Sequence, residues 1–328
     1  MPKAVSVIIC TRDRAESLQE TLRALGETVV PGDLVAEVLV VDNGSRDRTR
    51  PVVRQAKIWG QSPRYLYEPR SGLSFARNTG MAAARGEVLL WTDDDVRPGG
   101  AWIEALARPI LDGLADAVAG RIKLAPCLER PWLQPWHRVC LAVDAPTTGD
   151  FDLTGANMAF ARRVLETVPA FDLEMGAGSC VGAGAETLFS RQLVAAGYRL
   201  LAGGEESTVE HHCGEHRLMR SSLTDVLMRH GRSQGYIAYH WKHRRVWFPA
   251  LHGGRSLLGL CGLRILQRLR NDGDPVIGRR EARWLWRWSY YRQMMIESQG
   301  PRHYERFGLE KLVSCSPREE VFAQRRVA

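Results

Sequence analysis

The chain has 328 residues, 45% of them apolar and 25% charged, the mixture of a globular protein with a substantial core. That excludes a disordered chain and a disulfide-stapled miniprotein. Formal charge is +8, yet residues 216–328 hold 22 Lys and Arg against 9 Asp and Glu, a net +13 that leaves residues 1–215 at −5.

An acidic-leaning body therefore carries a basic tail. The seven cysteines, at 10, 127, 140, 180, 213, 261 and 315, are odd in number and never spaced C-x-x-C. They argue against a disulfide framework or zinc ribbon and for a reducing compartment. The apolar run at residues 4–10 is followed at once by Arg12, Asp13 and Arg14, which is too short and too soon charged for a leader. No uncharged apolar run approaches the roughly 18–20 residues of a spanning helix. The expectation is a cytoplasmic protein, with any membrane contact peripheral.

Residues 5–10 (VSVIIC) predict a strand covered on both faces. Residues 14–25 place Leu18, Leu22 and Leu25 at helical spacing. A second buried strand is expected at 37–41, closed by the turn formers Asp42-Asn43-Gly44-Ser45. A polar helix over 48–57 carries Pro51 near its start, where a missing N–H costs least. A strand at 65–67, a helix over 74–84 and a strand at 87–91 follow, the last running into Thr92-Asp93-Asp94-Asp95. This alternation implies a mainly parallel sheet flanked by helices. Ligands of such sheets sit beyond the carboxyl ends of the strands, where Thr11, Asp42 and the three aspartates fall. Further on, strands are expected at 116–120 and 157–160, and a helix over 186–196 closed by Gly197. The Pro- and Trp-containing stretch 126–146 reads as a loop or lid. Beyond His216 the pattern is helical, with Ser222 and Asp225 in capping-box spacing.

Three adjacent carboxylates at a strand end repel one another unless a cation or hydrogen-bond donors neutralise them. In an extended segment Asp93 and Asp95 point to one side, which suits a hard divalent ion shared with a ligand's phosphates. The plainer alternative is a solvated acidic turn.

The segments VSVIICTRDR, VLVVDNGSRDRT, GLSFARNTG, ARGEVLLWTDDDVRP, TGANMAF and GAETLFSRQLVAAG, in this order, resemble family 2 glycosyltransferases of the GT-A fold over about residues 4–215. The resemblance implies a nucleotide-diphosphate sugar donor (UDP-, GDP- or dTDP-linked), Mn²⁺ or Mg²⁺, and inverting transfer to a hydroxyl of a glycan, lipid-linked or small-molecule acceptor. It implies a catalytic domain at 1–215, with the nucleotide part at about 1–115 and the acceptor part at about 116–215. Thr11, Arg12, Asp42 and Arg77 match nucleotide-contacting positions. Asp93 and Asp95 are the outer members of a D-x-D motif, Asp95 as main metal ligand and Asp93 towards the ribose or the metal.

Glu186 falls where the family carries its catalytic base, although Ala185 replaces a preceding acid and the usual base is Asp. Without that role Glu186 would simply complement a helix dipole. His211 matches a histidine that completes the metal site, and an imidazole favours Mn²⁺ over Mg²⁺. Gly155 and Asn157 match an acceptor-binding segment. The Gly- and Ala-rich run 176–184 reads either as a mobile loop beside the acceptor or as a plain linker.

The extension at 216–328 holds five of the ten tryptophans among basic residues. Trp284, Trp288, Tyr291 and Met295 form a stripe at helical spacing, so packing onto the rest of the protein ranks first. Peripheral membrane contact through 241–295 ranks second, and nucleic acid is not expected. Two rival functions stand beside glycosyl transfer. A sugar-nucleotide nucleotidyltransferase would share the fold class but place a Gly-rich loop after the first strand, where this chain has Thr11-Arg12-Asp13-Arg14. A non-catalytic membrane-surface protein would leave the aspartates unexplained.

Overall fold

The computed structural model describes residues 2–142, 151–269 and 276–312, with side chains of 266–269 excepted. In chain order the elements are β1 (Lys3–Thr11), α1 (Ala15–Gly26), β2 (Leu34–Asp42), α2 (Thr49–Gln55), β3 (Arg64–Tyr67), α3 (Leu73–Ala83), β4 (Val88–Asp93), β5 (Val96–Pro98), α4 (Trp102–Leu111), β6 (Ala117–Ala119), β7 (Ile122–Leu124), α5 (Pro135–Arg138), β8 (Asn157–Ala161), α6 (Ala185–Ala195), β9 (Leu200–Ala202), β10 (Val209–His211), α7 (Arg220–His240), α8 (Pro249–Leu269) and α9 (Arg279–Glu297). They divide into two compact units. The first comprises Met1–Leu133, Leu141–Asp172 and Ala185–Cys213; the second comprises Gln134–Cys140, Leu173–Gly184 and Gly214–Ala328.

The first unit holds a sheet in the order β3-β2-β1-β4-β8-β6-β9. Strands β1, β2, β3 and β4 are parallel to one another, and β8 runs antiparallel between β4 and β6. The continuous apolar character of β1 is explained by burial: Val5 through Thr11 are all buried. Helix α1 buries Leu18, Leu22 and Leu25 along one face, as their spacing predicts. Its first N–H is satisfied from another loop, Ala15 N donating to Asp47 Oδ2 at 2.8 Å. Helix α3 approaches the sheet closely because Gly80 has no side chain, a Cβ there lying 2.6 Å from Ile8 Cγ2.

Two boundaries differ from expectation. Helix α2 is shorter at both ends than 48–57, and β4 runs on through Asp93, so the first aspartate belongs to the strand. Of the loop expected at 126–146, residues 143–146 lie outside the described residues.

A second, three-stranded sheet, β5-β10-β7, stands beyond β4 in the same unit. Strand β10 pairs antiparallel with β5, setting His211 against Val96, and parallel with β7. His212 N also donates to Asp95 O at 2.7 Å. This small sheet is what carries His211 to the aspartates.

In the second unit α7 and α9 pack through glycines. A Cβ on Gly231 would lie 2.5 Å from Trp286 O, and one on Gly235 2.7 Å from Tyr290 O, so larger residues would push the helices apart. The expected Trp stripe does not face inward. The buried residues of α9 are Glu281, Ala282, Leu285, Ser289, Tyr290, Gln293 and Met294, on the side where the glycines of α7 admit its backbone. Trp284 turns instead towards α8, 2.8 Å from where a Gly259 Cβ would stand. The capping box at Ser222 is absent too. Helix α7 starts at Arg220, Ser222 Oγ donates to His216 O, and Asp225 pairs with Arg229.

Candidate active site

The parallel register aligns the carboxyl ends of three strands. Thr11 of β1 pairs with Asp42 of β2, and Cys10 with Asp93 of β4. The loops that follow are tied to one another: Asp13 N donates to Ser45 Oγ at 2.9 Å and Arg46 N to Asp13 Oδ1 at 2.7 Å. Asn43 holds the segment before α3, its Nδ2 donating to Glu68 O and Arg70 O while its Oδ1 accepts from Gly72 N at 2.9 Å. The rim is thus built of loops fixed by side-chain bonds to backbone.

Asp42 is buried and accepts at both oxygens, from Ser45 N and from the Tyr65 hydroxyl, each at 2.7 Å. Each oxygen keeps a second lone pair for a ligand donor. Burial, then the bond to Asp42, pushes the Tyr65 phenol up to about 12, so Tyr65 stays a donor at neutral pH. Arg12 is exposed at the rim, with Nη1 bonding Ser71 Oγ at 2.6 Å.

The three aspartates occupy three different environments. Asp94 is buried, accepting from Thr11 Oγ1 and Arg14 Nη1 at 2.7 Å each. Burial pushes its carboxyl up to about 7 against the pull of Arg14 and Thr11. Asp95 is bound by Arg14 Nη2 at 2.7 Å and by His211 Nε2 at 3.3 Å. Burial opposes its ionisation, but His211 and Arg14 outweigh that and hold it well below the usual carboxylate range. Its Oδ1 is buried with no hydrogen-bond partner among the described residues. Asp93 is half-buried, with no hydrogen bond to a described residue; burial first, and Asp95 next, raise its pKa despite Arg77 and His211. His211 gives its other nitrogen to Leu141 O. Burial works against its protonation, yet Asp95 and that carbonyl outweigh burial and raise its pKa.

The helix-borne residues form a second cluster. Arg77 on α3 is 3% exposed and donates from Nη1 to Glu186 Oε2 at 3.1 Å. Its guanidinium lies 5.5 Å from the centroid of the Phe171 ring. Arg77 is therefore no helix-surface residue; the sequence-expected base on α6 is its partner. Glu186 opens α6, and its charge contributes to raising Asp93. Gly155 makes room for this pair: a Cβ there would stand 1.7 Å from Arg77 Nη2.

Asn157 departs from its expected acceptor role. It is fully buried, its oxygen accepts from Trp102 Nε1 at 2.9 Å, and its amide donates to Arg121 O and Ser207 O at 2.7 Å each. Both amide hydrogens are spent, so its side chain ties β8 to neighbouring loops. Arg14 is the residue the sequence reading missed. It clamps Asp94 and Asp95 from the loop before α1, and nothing in its spacing marks it.

Among the described residues no three His, Cys, Asp or Glu side chains are close enough to cage an ion by themselves. The buried, unpartnered Asp95 Oδ1 beside the unbonded Asp93 nonetheless fits a cation that takes its remaining ligands from phosphate and water.

The architecture defines the class: a GT-A-like α/β fold with extra C-terminal helices. Against solved structures, the chain resembles mannosyltransferase PcManGT from Pyrobaculum calidifontis, solved in complex with GDP-Man and Mn²⁺. The TM-score is 0.58 at 19% identity, covering 90% of this chain and 86% of that one, a likeness of fold alone. Residues 6–168 match the Glycosyl transferase family 2 profile, and the chain belongs to that family. It is 28% identical over 269 residues to the succinoglycan biosynthesis protein ExoM of Rhizobium meliloti, covering 78% of this chain and 82% of that protein. It is 36% identical over 120 residues to glycosyltransferase AglE of Haloferax volcanii, covering 36% of this chain but only 39% of that protein. No described helix is long and apolar enough to cross a membrane.

Proposed function

We propose that the chain transfers a sugar from a nucleotide-diphosphate donor to an acceptor hydroxyl with inversion, using Mn²⁺ or Mg²⁺. The observation that carries the reading is the pairing of an orphaned buried carboxylate oxygen, Asp95 Oδ1, with an unbonded Asp93 at the carboxyl edge of the sheet. Family membership and the GDP-Man and Mn²⁺ present in the Pyrobaculum structure support it.

Residues 1–215 carry the reaction in this reading. Asp95, Asp93 and His211, the last as a neutral imidazole, would hold the ion together with oxygens of phosphate and water. When bound, the ion neutralises charge on a departing diphosphate. Thr11, Arg12 and Asp42 line the nucleotide's place; Asp42 takes a donor from the base while Ser45 and Tyr65 keep its carboxylate oriented. Arg77 orients Glu186 through Oε2, leaving Oε1 to accept the proton of the acceptor hydroxyl as its oxygen attacks. Gly155 admits that arrangement sterically.

Residues 216–328 form the extension, and 241–295 make peripheral contact with a membrane in this reading. Helix α8 supports it: Leu251, Leu258 and Ile265 recur every seven residues and are 61%, 72% and 58% exposed, and Trp247 and Phe248 precede them at 76% and 72%. Such a stripe beside cations suits an anionic interface.

Thermal stabilisation by UDP-, GDP- and dTDP-sugars, each with Mn²⁺ and with EDTA, tests the donor reading. Metal-dependent stabilisation by one nucleotide class supports it; none from any donor contradicts it.

A further inference from the structure

The turn after β1 carries a side chain to which the proposed transfer gives no part. Arg14 sends Nη1 to Asp94 Oδ1 and Nη2 to Asp95 Oδ2, each at 2.7 Å, so one guanidinium bridges two successive carboxylates rather than gripping one. The side chains of both aspartates are 5% exposed and that of Arg14 is 37% exposed. Among the described residues Arg14 is the one Lys or Arg that bonds any of the three aspartates, Arg77 being bonded to Glu186. The backbone fixes the root of this side chain. Asp13 turns at a φ of +52°, in the left-handed region that Asp adopts more readily than most residues. Both neighbours of Arg14 are tied to the loop after β2, Asp13 N donating to Ser45 Oγ at 2.9 Å and Ala15 N to Asp47 Oδ2 at 2.8 Å.

The consequence lies in how the oxygens are shared. Asp94 is engaged at both, Oδ2 accepting from Thr11 Oγ1 and Oδ1 from Arg14. Asp95 is divided: Oδ2 accepts from Arg14 and lies 3.3 Å from His211 Nε2, while Oδ1 has no partner among the described residues. An ion taken on Oδ1 therefore shares its carboxylate with a guanidinium charge held in place. Adjacent buried carboxylates repel one another until something neutralises them, and Arg14 neutralises these two without a metal. The same charge repels a divalent ion that arrives alone. The negative charge of a nucleotide diphosphate offsets that repulsion.

We infer that Arg14 is the resident counter-cation of the ion site: it neutralises Asp94 and Asp95 before the donor binds, and so makes ion binding depend on the nucleotide diphosphate. Arg14 is a positioning residue, acting through the two aspartates and not on the sugar. This role rests on the proposed ion site at Asp93 and Asp95.

Mn²⁺ binding to the full chain, followed through the electron paramagnetic resonance signal of the free ion, tests it in wild type, Arg14→Met and Arg14→Lys, each without nucleotide and with GDP, UDP or dTDP. Wild type should bind Mn²⁺ about tenfold or more tightly with one of the nucleotides than without. Arg14→Met removes the charge and should bind Mn²⁺ alone about tenfold more tightly than wild type, the least that like charges sharing one carboxylate produce even when screened as in water. Its gain from nucleotide should shrink correspondingly, and so, by linkage, should the gain in nucleotide affinity from Mn²⁺. Arg14→Lys keeps the charge but cannot span both carboxylates, and should stay within about threefold of wild type for Mn²⁺ alone. Melts in EDTA establish folding, and Mn²⁺ alone should raise the Tm of Arg14→Met more than that of wild type. Should Arg14→Met melt below the assay temperature, Arg14→Gln, uncharged but still a donor to one carboxylate, replaces it with the same expectation. An arginine that only shapes the loop predicts weaker or unchanged Mn²⁺ binding in Arg14→Met. That result overturns the proposal, as does equal tightening in Arg14→Lys. No Mn²⁺ binding by wild type with any nucleotide would remove the ion site itself, and this role with it.

Discussion

Gly155→Ala is a one-methyl perturbation whose consequence can be worked from geometry. The new Cβ would stand 1.7 Å from Arg77 Nη2, 2.7 Å from Cζ and 3.3 Å from Nη1. A flexible arginine on the surface would swing aside at little cost. Arg77 is 3% exposed, bonded to Glu186 at 3.1 Å and seated over Phe171, so moving it forfeits those contacts. Outright removal of one partner from a buried pair costs about 3–5 kcal/mol. Here the guanidinium is displaced rather than deleted, and Glu186 retains some exposure to water, so a loss of about 2 kcal/mol is expected, within the usual range of overpacking. In a domain of this size that lowers Tm by roughly 4–8 °C. Urea and thermal melts of wild type, Gly155→Ala, Arg77→Met and the double variant measure it as a cycle. The cost of Gly155→Ala should largely vanish once Arg77 is Met. An equal cost in both backgrounds, or none in wild type, refutes the steric reasoning.

Glu186→Gln should keep an oxygen for Arg77 and retain donor binding, yet lose about 10²–10⁴ in transfer rate; transfer near the wild-type rate would assign the base elsewhere. Glu68 is bound by Arg70 and Thr79, and the Arg70 bond first among these causes draws its pKa down from 4.5 to about 2. Its folded pKa lies below its unfolded one, so its contribution is present above pH 4.5 and lost as pH falls towards about 2. Glu68→Gln should therefore flatten the decline of Tm across that window, and an unchanged slope would contradict it. For the extension, wild type should co-sediment with anionic vesicles and be released by salt. Replacing Leu251 and Leu258 by Ser should reduce retention, and equal partitioning to neutral and anionic vesicles would count against membrane contact.

The alternation of strands and helices as far as β4 was legible because burial on both faces leaves continuous apolar runs, and helices keep the spacing of Leu18, Leu22 and Leu25. The position of the three aspartates at a strand end was legible for the same reason. Their separate environments were not. Arg14 comes to Asp94 and Asp95 across 80 and 81 residues of sequence, and a loop arginine carries no periodic signal. Strands β5, β7 and β10 have three residues each, too few to show alternation, so the route by which His211 reaches Asp95 was hidden. Asn157 was read for its chemistry, but its environment decides its use: one carbonyl from each of two loops and one indole consume it. In α9 the tryptophans drew attention by size. The buried seam follows the glycines of α7, whose significance appears only once the two helices are seen side by side.

The account rests most heavily on Asp95 as the anchor of a divalent ion that nucleotide binding requires. Calorimetric titration of GDP and UDP into wild type and Asp95→Asn, each with Mn²⁺ and with EDTA, addresses it directly. Wild type should bind one nucleotide with Mn²⁺ and bind it at least tenfold more weakly in EDTA, while Asp95→Asn, folded by circular dichroism, should show the weak affinity in both. Affinity that is the same in all four measurements, or metal dependence that survives in Asp95→Asn, would contradict the account.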